Sequence, residues 1–462
     1  MSRVGEVLQG RGTLGQGAFA TFGVVLTIAK FCLDYTVSSV FHHPWGITSY
    51  WMQSFMFARS PSEPGQLNYL IAMLALALPF IWAGVAMTLA RLRDAALPAW
   101  LVVFFFPPFI NVLFFVFLCC VPGKPQGTPH LWAASEHGRL LDRVIPQSGP
   151  ASAFMGLTLT LALSLLIVLL STNVLGNYGW GLFIGMPFTM GFASVLIYTY
   201  HAPRTLRASL GVALLSPCLL GLGLLAYAIE GLICLVMAAP IMLSLAALGG
   251  ALAFSLQRWH RESGTASAVL GALVLALPAG MLVEHRVALQ PPTFEVTSSV
   301  IVDAPPEVVW PSVIAFAELP PPTELLFRAG VAYPIRAEIT GTGPGAIRNC
   351  IFSTGPFVEP IEVWDAPRLL KFSVTSNPAP LAEWTPYERV TPPHLRGFLA
   401  SNGGQFRLTP LAGGRTLLEG TTWYRHTMWP AAYWRLWSDH IIHQIHLRVL
   451  RYIAARSVTP AR

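Results

Sequence analysis

The sequence predicts a multi-pass α-helical membrane region followed by a water-soluble α+β C-terminal domain. Three observations carry that prediction. Of the 462 residues, 54% are hydrophobic and only 11% are charged, against about 25% charged in ordinary soluble domains. The apolar residues gather into windows of about 20 residues, the length that crosses a bilayer as a helix. The charges crowd toward the end: 15 Lys+Arg and 13 Asp+Glu lie from Pro291 onward, against 14 and 9 in the first 290 residues.

Taken in order, apolar windows fall at about 17–40, 68–90, 97–121, 153–172, 178–199, 207–228, 231–254 and 267–284, which predicts eight spans. Residues 126–152 are polar and rich in Pro and Gly, so they read as a linker between a first membrane module, 1–125, and a second of about five helices, 153–290. The first apolar run starts after Gly15, is too long for a signal-peptide core and contains Lys30 and Asp34, so a cleavable signal is not expected. Lys30 and Asp34 are four residues apart and share a helix face, which predicts an internal ion pair rather than an ion path. Glu230, between two spans, reads as solvated. Five of the six cysteines lie in apolar spans and Cys350 stands alone in the last third, so neither a disulfide framework nor a metal-binding Cys pair is expected.

Loop Lys and Arg set orientation. Arg3, Arg11, Arg91 and Arg93 ask for the cytoplasmic side, and so do Lys124, Arg139, Arg143, Arg204, Arg207, Arg258 and Arg261. The two groups agree only if 97–121 does not cross. Pro107-Pro108, in its middle, removes two backbone donors and makes a re-entrant hairpin the consistent reading. The C-terminal domain is then expected outside the cytoplasm. A net charge of +7 that arises mainly from short loops between spans does not imply nucleic acid.

Gly10-Arg11-Gly12, then the run from Leu89 to Trp100 (LARLRDAALPAW), then Pro122-Gly123, resembles the bacterial inner-membrane family called domain of unknown function 805 over about residues 8–125. The resemblance implies location in the inner membrane and points to no particular activity. The residues themselves suggest that Arg91, Arg93 and Asp94 form a charged turn at the membrane surface, with Trp100 as an interfacial anchor.

From Phe294 the periodicity changes. Phe294–Val302 alternates as a strand, and Asp303 onward reads as a helix start with Asp303 near the cap. Further strands are expected at Ala332–Thr340, Ala346–Ser353, Phe357–Trp364, Leu369–Thr375, Gly404–Pro410 and Thr416–Trp423, separated by Gly- and Pro-rich turns. From Pro430 to Arg456, Trp434, Trp437, Ile441, Ile445, Val449 and Ile453 recur at helical spacing, so one long helix closes the domain. This order predicts an antiparallel sheet curving around a final helix. Residues 377–397 form a Pro-rich loop that reads as a structured surface loop, with a lid or a bilayer contact through Leu381 and Trp384 as sharper alternatives.

This order, with the phrase Val300–Trp310 (VIVDAPPEVVW), resembles the START-like SRPBCC superfamily, which includes polyketide cyclase-like proteins. The resemblance covers about residues 294–456, within a domain bounded at 291–462. It implies a helix-grip fold around an apolar cavity for lipids or other hydrophobic molecules, and leaves the chemistry open.

Candidate ligand-binding residues are Arg348, Glu359, Trp423, Arg425, Trp434, Trp437, Asp439, His443 and His446. Asp439, His443 and His446 share one helix face, but their spacing is loose for a metal site and a polar face is the simpler reading, so no metal ligands and no cofactor are assigned. Glu359 and Glu362 sit an odd number apart and should face opposite sides of a strand. The leading expectation is a membrane-tethered domain that binds a hydrophobic small molecule or lipid from the adjacent bilayer. The alternatives are an enzyme on such a ligand, using Asp439/His443 or Arg425/His426, and a transporter or sensor working through the spans. No catalytic set, ligand identity or oligomeric state is read from the sequence.

Overall fold

The structure is a computed structural model that describes residues 6–7, 12–43, 45–47, 49–50, 66–123, 145–259, 265–287, 290–387 and 392–458. Most of the linker and the basic residues Arg3, Arg11, Arg59, Lys124, Arg139, Arg143 and Arg261 lie outside the described residues. The chain divides into two compact units. One is Met1–Leu163 with Met190–Ala228 and Ala246–Ala268; the other is Ser164–Thr189 with Ile229–Leu245 and Val269–Arg462.

The helices of the apolar region are α1 (Gln16–Val40), α2 (Gln66–Asp94), α3 (Ile110–Cys120), α4 (Gly149–Leu169), α5 (Met186–Tyr198), α6 (Leu206–Ala226), α7 (Leu232–Trp259) and α8 (Thr265–Val287). Among the described residues, seven helices are long and apolar enough to cross a membrane, one fewer than the eight expected. The difference falls at 97–121. There a 3-10 helix, Ala99–Phe105, is separated from the short α3 by the Pro107-Pro108 pair and by Phe109 at φ 64°. Proline cannot donate to a helical ladder, so the apolar run breaks into two arms of about half length.

The first arm starts just after α2, and the second ends beside the last turn of α2. The Arg91 guanidinium donates to the carbonyls of Leu118 and Val121 and pairs with Asp94. These are C-terminal carbonyls of α3 that have no partner within the helix, and a cation is favoured at that end. Arg91 is 0% exposed: besides forming a charged turn with Asp94, it ties two elements together. Lys30 and Asp34 do pair, at 2.5 Å, and Tyr50 donates to the same carboxylate at 2.5 Å.

The span surfaces keep large apolar residues such as Val25, Ile28, Leu74 and Leu275 exposed, as a lipid-facing helix requires. Inside the first unit, small residues let backbones approach. A Cβ on Gly191 would stand 1.9 Å from the Ala246 carbonyl oxygen, so only glycine permits that contact.

The second unit carries the sheet. Strands β1 (Thr293–Val302), β2 (Pro334–Thr340), β3 (Ile347–Phe352), β4 (Gly355–Asp365), β5 (Leu369–Ser373), β6 (Leu399–Leu411) and β7 (Arg415–His426) form one curled antiparallel sheet in the order β1-β7-β6-β5-β4-β3-β2. Alternation builds it: on β1, Val296, Ser298 and Val302 are buried while Glu295, Thr297 and Ser299 are exposed. Two short helices, α9 (Pro306–Ile314) and α10 (Leu325–Arg328), follow β1. Asp303 does not cap α9; Pro305 takes the cap position, with Pro306 opening the first turn.

The long helix α11 (Ala431–Val458) packs on the sheet, an arrangement typical of a helix-grip fold. Val449, Leu450 and Ile453 join Val309, Val313, Leu370, Leu408 and Leu418 in the main core. The β5–β6 loop docks on the turn between α6 and α7: Leu232 N–H donates to the Trp384 carbonyl at 2.9 Å. Leu381 is buried and Trp384 is 67% exposed. Glu230, in that turn, is only 7% exposed, which corrects its reading as solvated. The docked loop covers it.

Candidate functional site

A cavity of about 140 Å³ lies between the inner face of the sheet and α11. Phe352, Phe357, Phe372 and Phe406 supply aromatic walls, and Ile441, Ile442, Ile445 and Val449 close it from the helix. The β5–β6 connection adds Val374, Ala379, Pro380 and Leu399. Its apolar character follows from strand alternation, because the residues that face inward on β3 to β7 are the ones the fold removes from water.

Three sequence-predicted residues line the cavity: Arg348, Glu359 and His446. Arg348 and Glu359 face each other across the β3–β4 register and form an ion pair. The guanidinium is 1% exposed, donates to the Ile314 carbonyl at 3.1 Å, and lies 5.5–5.7 Å from the ring centres of Phe316, Phe372 and Phe406. A planar cation suits such a pocket, since it offers donors at its edge and faces to aromatic rings. Burial pushes the Glu359 carboxyl up, opposed by the adjacent guanidinium. Burial also pushes the Cys350 thiol up to about 12, with the Glu359 carboxylate adding to the shift. A thiol held that way is unreactive.

His446 accepts or donates at both ring nitrogens, to Ser298 Oγ at 3.1 Å and Thr422 Oγ1 at 2.7 Å. Burial, aided by neighbouring His443, lowers its pKa to about 4. The ring in the cavity wall is therefore neutral at neutral pH. His443 reaches the same Ser298 hydroxyl at 2.7 Å.

The remaining candidates lie elsewhere. Trp423 stands outside the cavity with its indole N–H on Glu295 at 3.0 Å and Lys371 over its ring. Arg425 is exposed, and its neighbour His426 is buried against Phe294. Trp434 packs on Phe183, 4.8 Å between ring centres, and Trp437 is half-buried on α11 without lining the cavity. Asp439 accepts from Tyr424 at 2.5 Å and pairs with Arg435 at 3.0 Å. The phenol is pushed up, first by burial and then by that carboxylate. Neither Asp439 with His443 nor Arg425 with His426 is joined by a hydrogen bond among the described residues. Glu362 faces outward to Lys371 at 3.4 Å while Glu359 faces in, as their spacing requires. Sequence reasoning missed Ser298, Thr422 and the four phenylalanines; each sits at an alternating position whose inward direction emerges only from the sheet register.

The family described as Protein of unknown function (DUF805) matches residues 9–130. No curated protein matches. Among solved structures, truncated norcoclaurine synthase from Thalictrum flavum is similar over 38% of this chain and 98% of its own, at 12% identity and a TM-score of 0.25. The Zhui aromatase/cyclase from Streptomyces sp. R1128 is similar over 36% and 94%, at 17% identity and a TM-score of 0.23. A protein from Nitrosospira multiformis is similar over 36% and 97%, at 18% identity and a TM-score of 0.25. The N-terminal region thus matches this family over residues 9–130, and the C-terminal sheet and long helix have an arrangement typical of a helix-grip fold.

Proposed function

We propose that the C-terminal domain binds a hydrophobic small molecule, or part of a lipid, in the cavity between sheet and helix, and that the spans hold it at the bilayer from which the ligand comes. The observation that carries this reading is the cavity itself: four phenylalanines and five aliphatic residues of α11, Leu450 included, around a buried, paired Arg348–Glu359 and a neutral His446. Ligand sites are commonly of this kind, mostly apolar with few placed polar groups. The volume narrows the ligand. An apolar cavity of about 150 Å³ admits a benzene-sized guest, so this one accommodates a single ring or a short acyl stretch rather than a whole sterol. Tethering makes capture effectively intramolecular.

The test is organic extraction and mass spectrometry of the full chain purified in detergent, followed by rebinding of the extracted compound. A co-purifying hydrophobic molecule that rebinds, and whose affinity falls roughly tenfold or more in the cavity-filling variant Ile445→Trp, is the expected result. A chain that never carries such a molecule, or whose Ile445→Trp variant binds it equally, overturns the reading. An enzymatic reading is favoured by one observation, the imidazole of His446 in the cavity wall. It is distinguished in the same experiment by conversion of the rebound compound to a product, lost in His446→Gln while binding persists.

A further inference from the structure

The α6–α7 turn, the first turn of α7 and the β5–β6 loop bring together four side chains outside the cavity: Glu230, Cys234, Glu383 and His394. Each offers a ligand atom, and these atoms all lie within 4.8 Å of one another. We propose that this cluster is a binding site for a divalent metal ion of the zinc class, built from one thiolate, one imidazole and two carboxylates, that clamps the β5–β6 loop of the C-terminal domain to the turn between two spans.

The donor set fits that ion. Zinc takes sulfur, nitrogen and oxygen ligands in tetrahedral sites at bonds of about 2.0–2.3 Å, which places its ligands roughly 3.5 Å apart. His394 Nε2 lies 2.9 Å from Cys234 Sγ, so these two can share one ion, and the other ring nitrogen, Nδ1, faces Glu230 Oε1 at 3.5 Å. A thiolate among the ligands argues against magnesium or calcium, which prefer oxygen alone. Four protein ligands fill a tetrahedron, so the expected site is structural and closed.

A second observation points to a missing partner. Glu230 is 7% exposed, yet Glu230 Oε2 and Glu383 Oε1 have no hydrogen-bond partner. Buried polar atoms without partners are uncommon and costly. The opposite oxygens of both carboxylates are held. Tyr178 donates to Glu230 Oε1 at 3.3 Å and Ile233 N–H to Glu383 Oε2 at 3.2 Å. Such outer contacts orient carboxylate ligands and leave the other oxygen for the metal. Among the described residues, no Lys or Arg pairs with either carboxylate, so a dication would offset most of the negative charge that two carboxylates and a thiolate bring together.

Gly231 completes the cradle. A Cβ there would stand 2.1 Å from Glu383 Oε2, so any larger residue drives that carboxylate out of the cluster. The site is separate from the cavity and goes beyond the ligand-binding reading. The loop it clamps nevertheless supplies Ala379 and Pro380 to the cavity wall.

The experiment is metal analysis of the full chain in detergent, with zinc alone titrated after chelation and cobalt as a spectroscopic probe. The expected result is about one tightly held zinc per chain, lost in Cys234→Ser and in Glu383→Gln, and a thiolate-to-cobalt absorption band that Cys234→Ser abolishes. Wild-type protein that takes up no zinc, or that binds cobalt without the thiolate band, overturns the proposal. Retention of zinc by both variants does the same. If Cys234→Ser does not purify folded, the cobalt spectrum of the wild-type chain decides by itself.

Discussion

At the scale of single residues, charge burial organises the C-terminal domain. Arg348 and Glu359 lie across from each other on neighbouring strands, and burying one alone would leave an uncompensated charge, at a cost of about 3–5 kcal/mol. His446 obeys the same rule by a different route: it gives up its charge. With a pKa lowered to about 4 from the usual 6.5, the unfolded chain binds a proton in a pH window where the folded chain does not. Stability from this group is therefore fully present above pH 6.5 and falls as pH drops toward 4. The loss reaches about 3 kcal/mol in acid. Thermal unfolding of the full chain between pH 7.5 and 4.5 is expected to show that decline, and the His446→Gln variant a flatter one. Equal slopes would mean that His446 is protonated in the fold. The candidates at Arg348, Glu359 and His446 were legible as polar residues in an apolar stretch. Whether such a residue faces cavity, core or water was not, because Trp423 and Arg425 carried the same local signal.

At the scale of elements, the break in 97–121 was readable from Pro107-Pro108, since proline's missing donor acts locally. What Arg91 does was not readable. Its partners, the carbonyls of Leu118 and Val121, are 27 and 30 residues away, and no helical spacing relates them. The pairing brings both ends of the broken segment to the last turn of α2. Single cysteines at Ala99 and Pro122, in a chain without its native cysteines, are expected to react with a membrane-impermeant thiol reagent from the same side. Reaction from opposite sides would make the segment a full crossing. The strands show the same division. Their alternation places all seven near their observed limits, with β6 extended back to Leu399 and β7 on to His426. Those extensions belong to long-range pairing of β6 with β7, which stabilises residues of weak strand character.

At the scale of the whole molecule, seven helices among the described residues are long and apolar enough to cross a membrane, and with a 97–121 segment that returns to its starting side an odd number of crossings is expected. With basic loops held in the cytoplasm, the C-terminal domain is expected on the far side of the membrane. A reporter active only outside the cytoplasm, fused after Arg462, is expected to be active, and one fused at the N-terminus silent. The reverse pattern would invert the topology.

Span lengths, the proline break and the strand alternation were determined by the sequence alone, because each is a periodic or steric property of residues that are neighbours along the chain. Tertiary structure alone decided which side chains face the cavity, that Arg91 is buried, and that Glu230 and Cys234 meet Glu383 and His394. Cys234 and His394 are 160 positions apart. Contacts over that distance depend on how the β5–β6 loop closes onto the α6–α7 turn, and no local pattern in the chain encodes that closure.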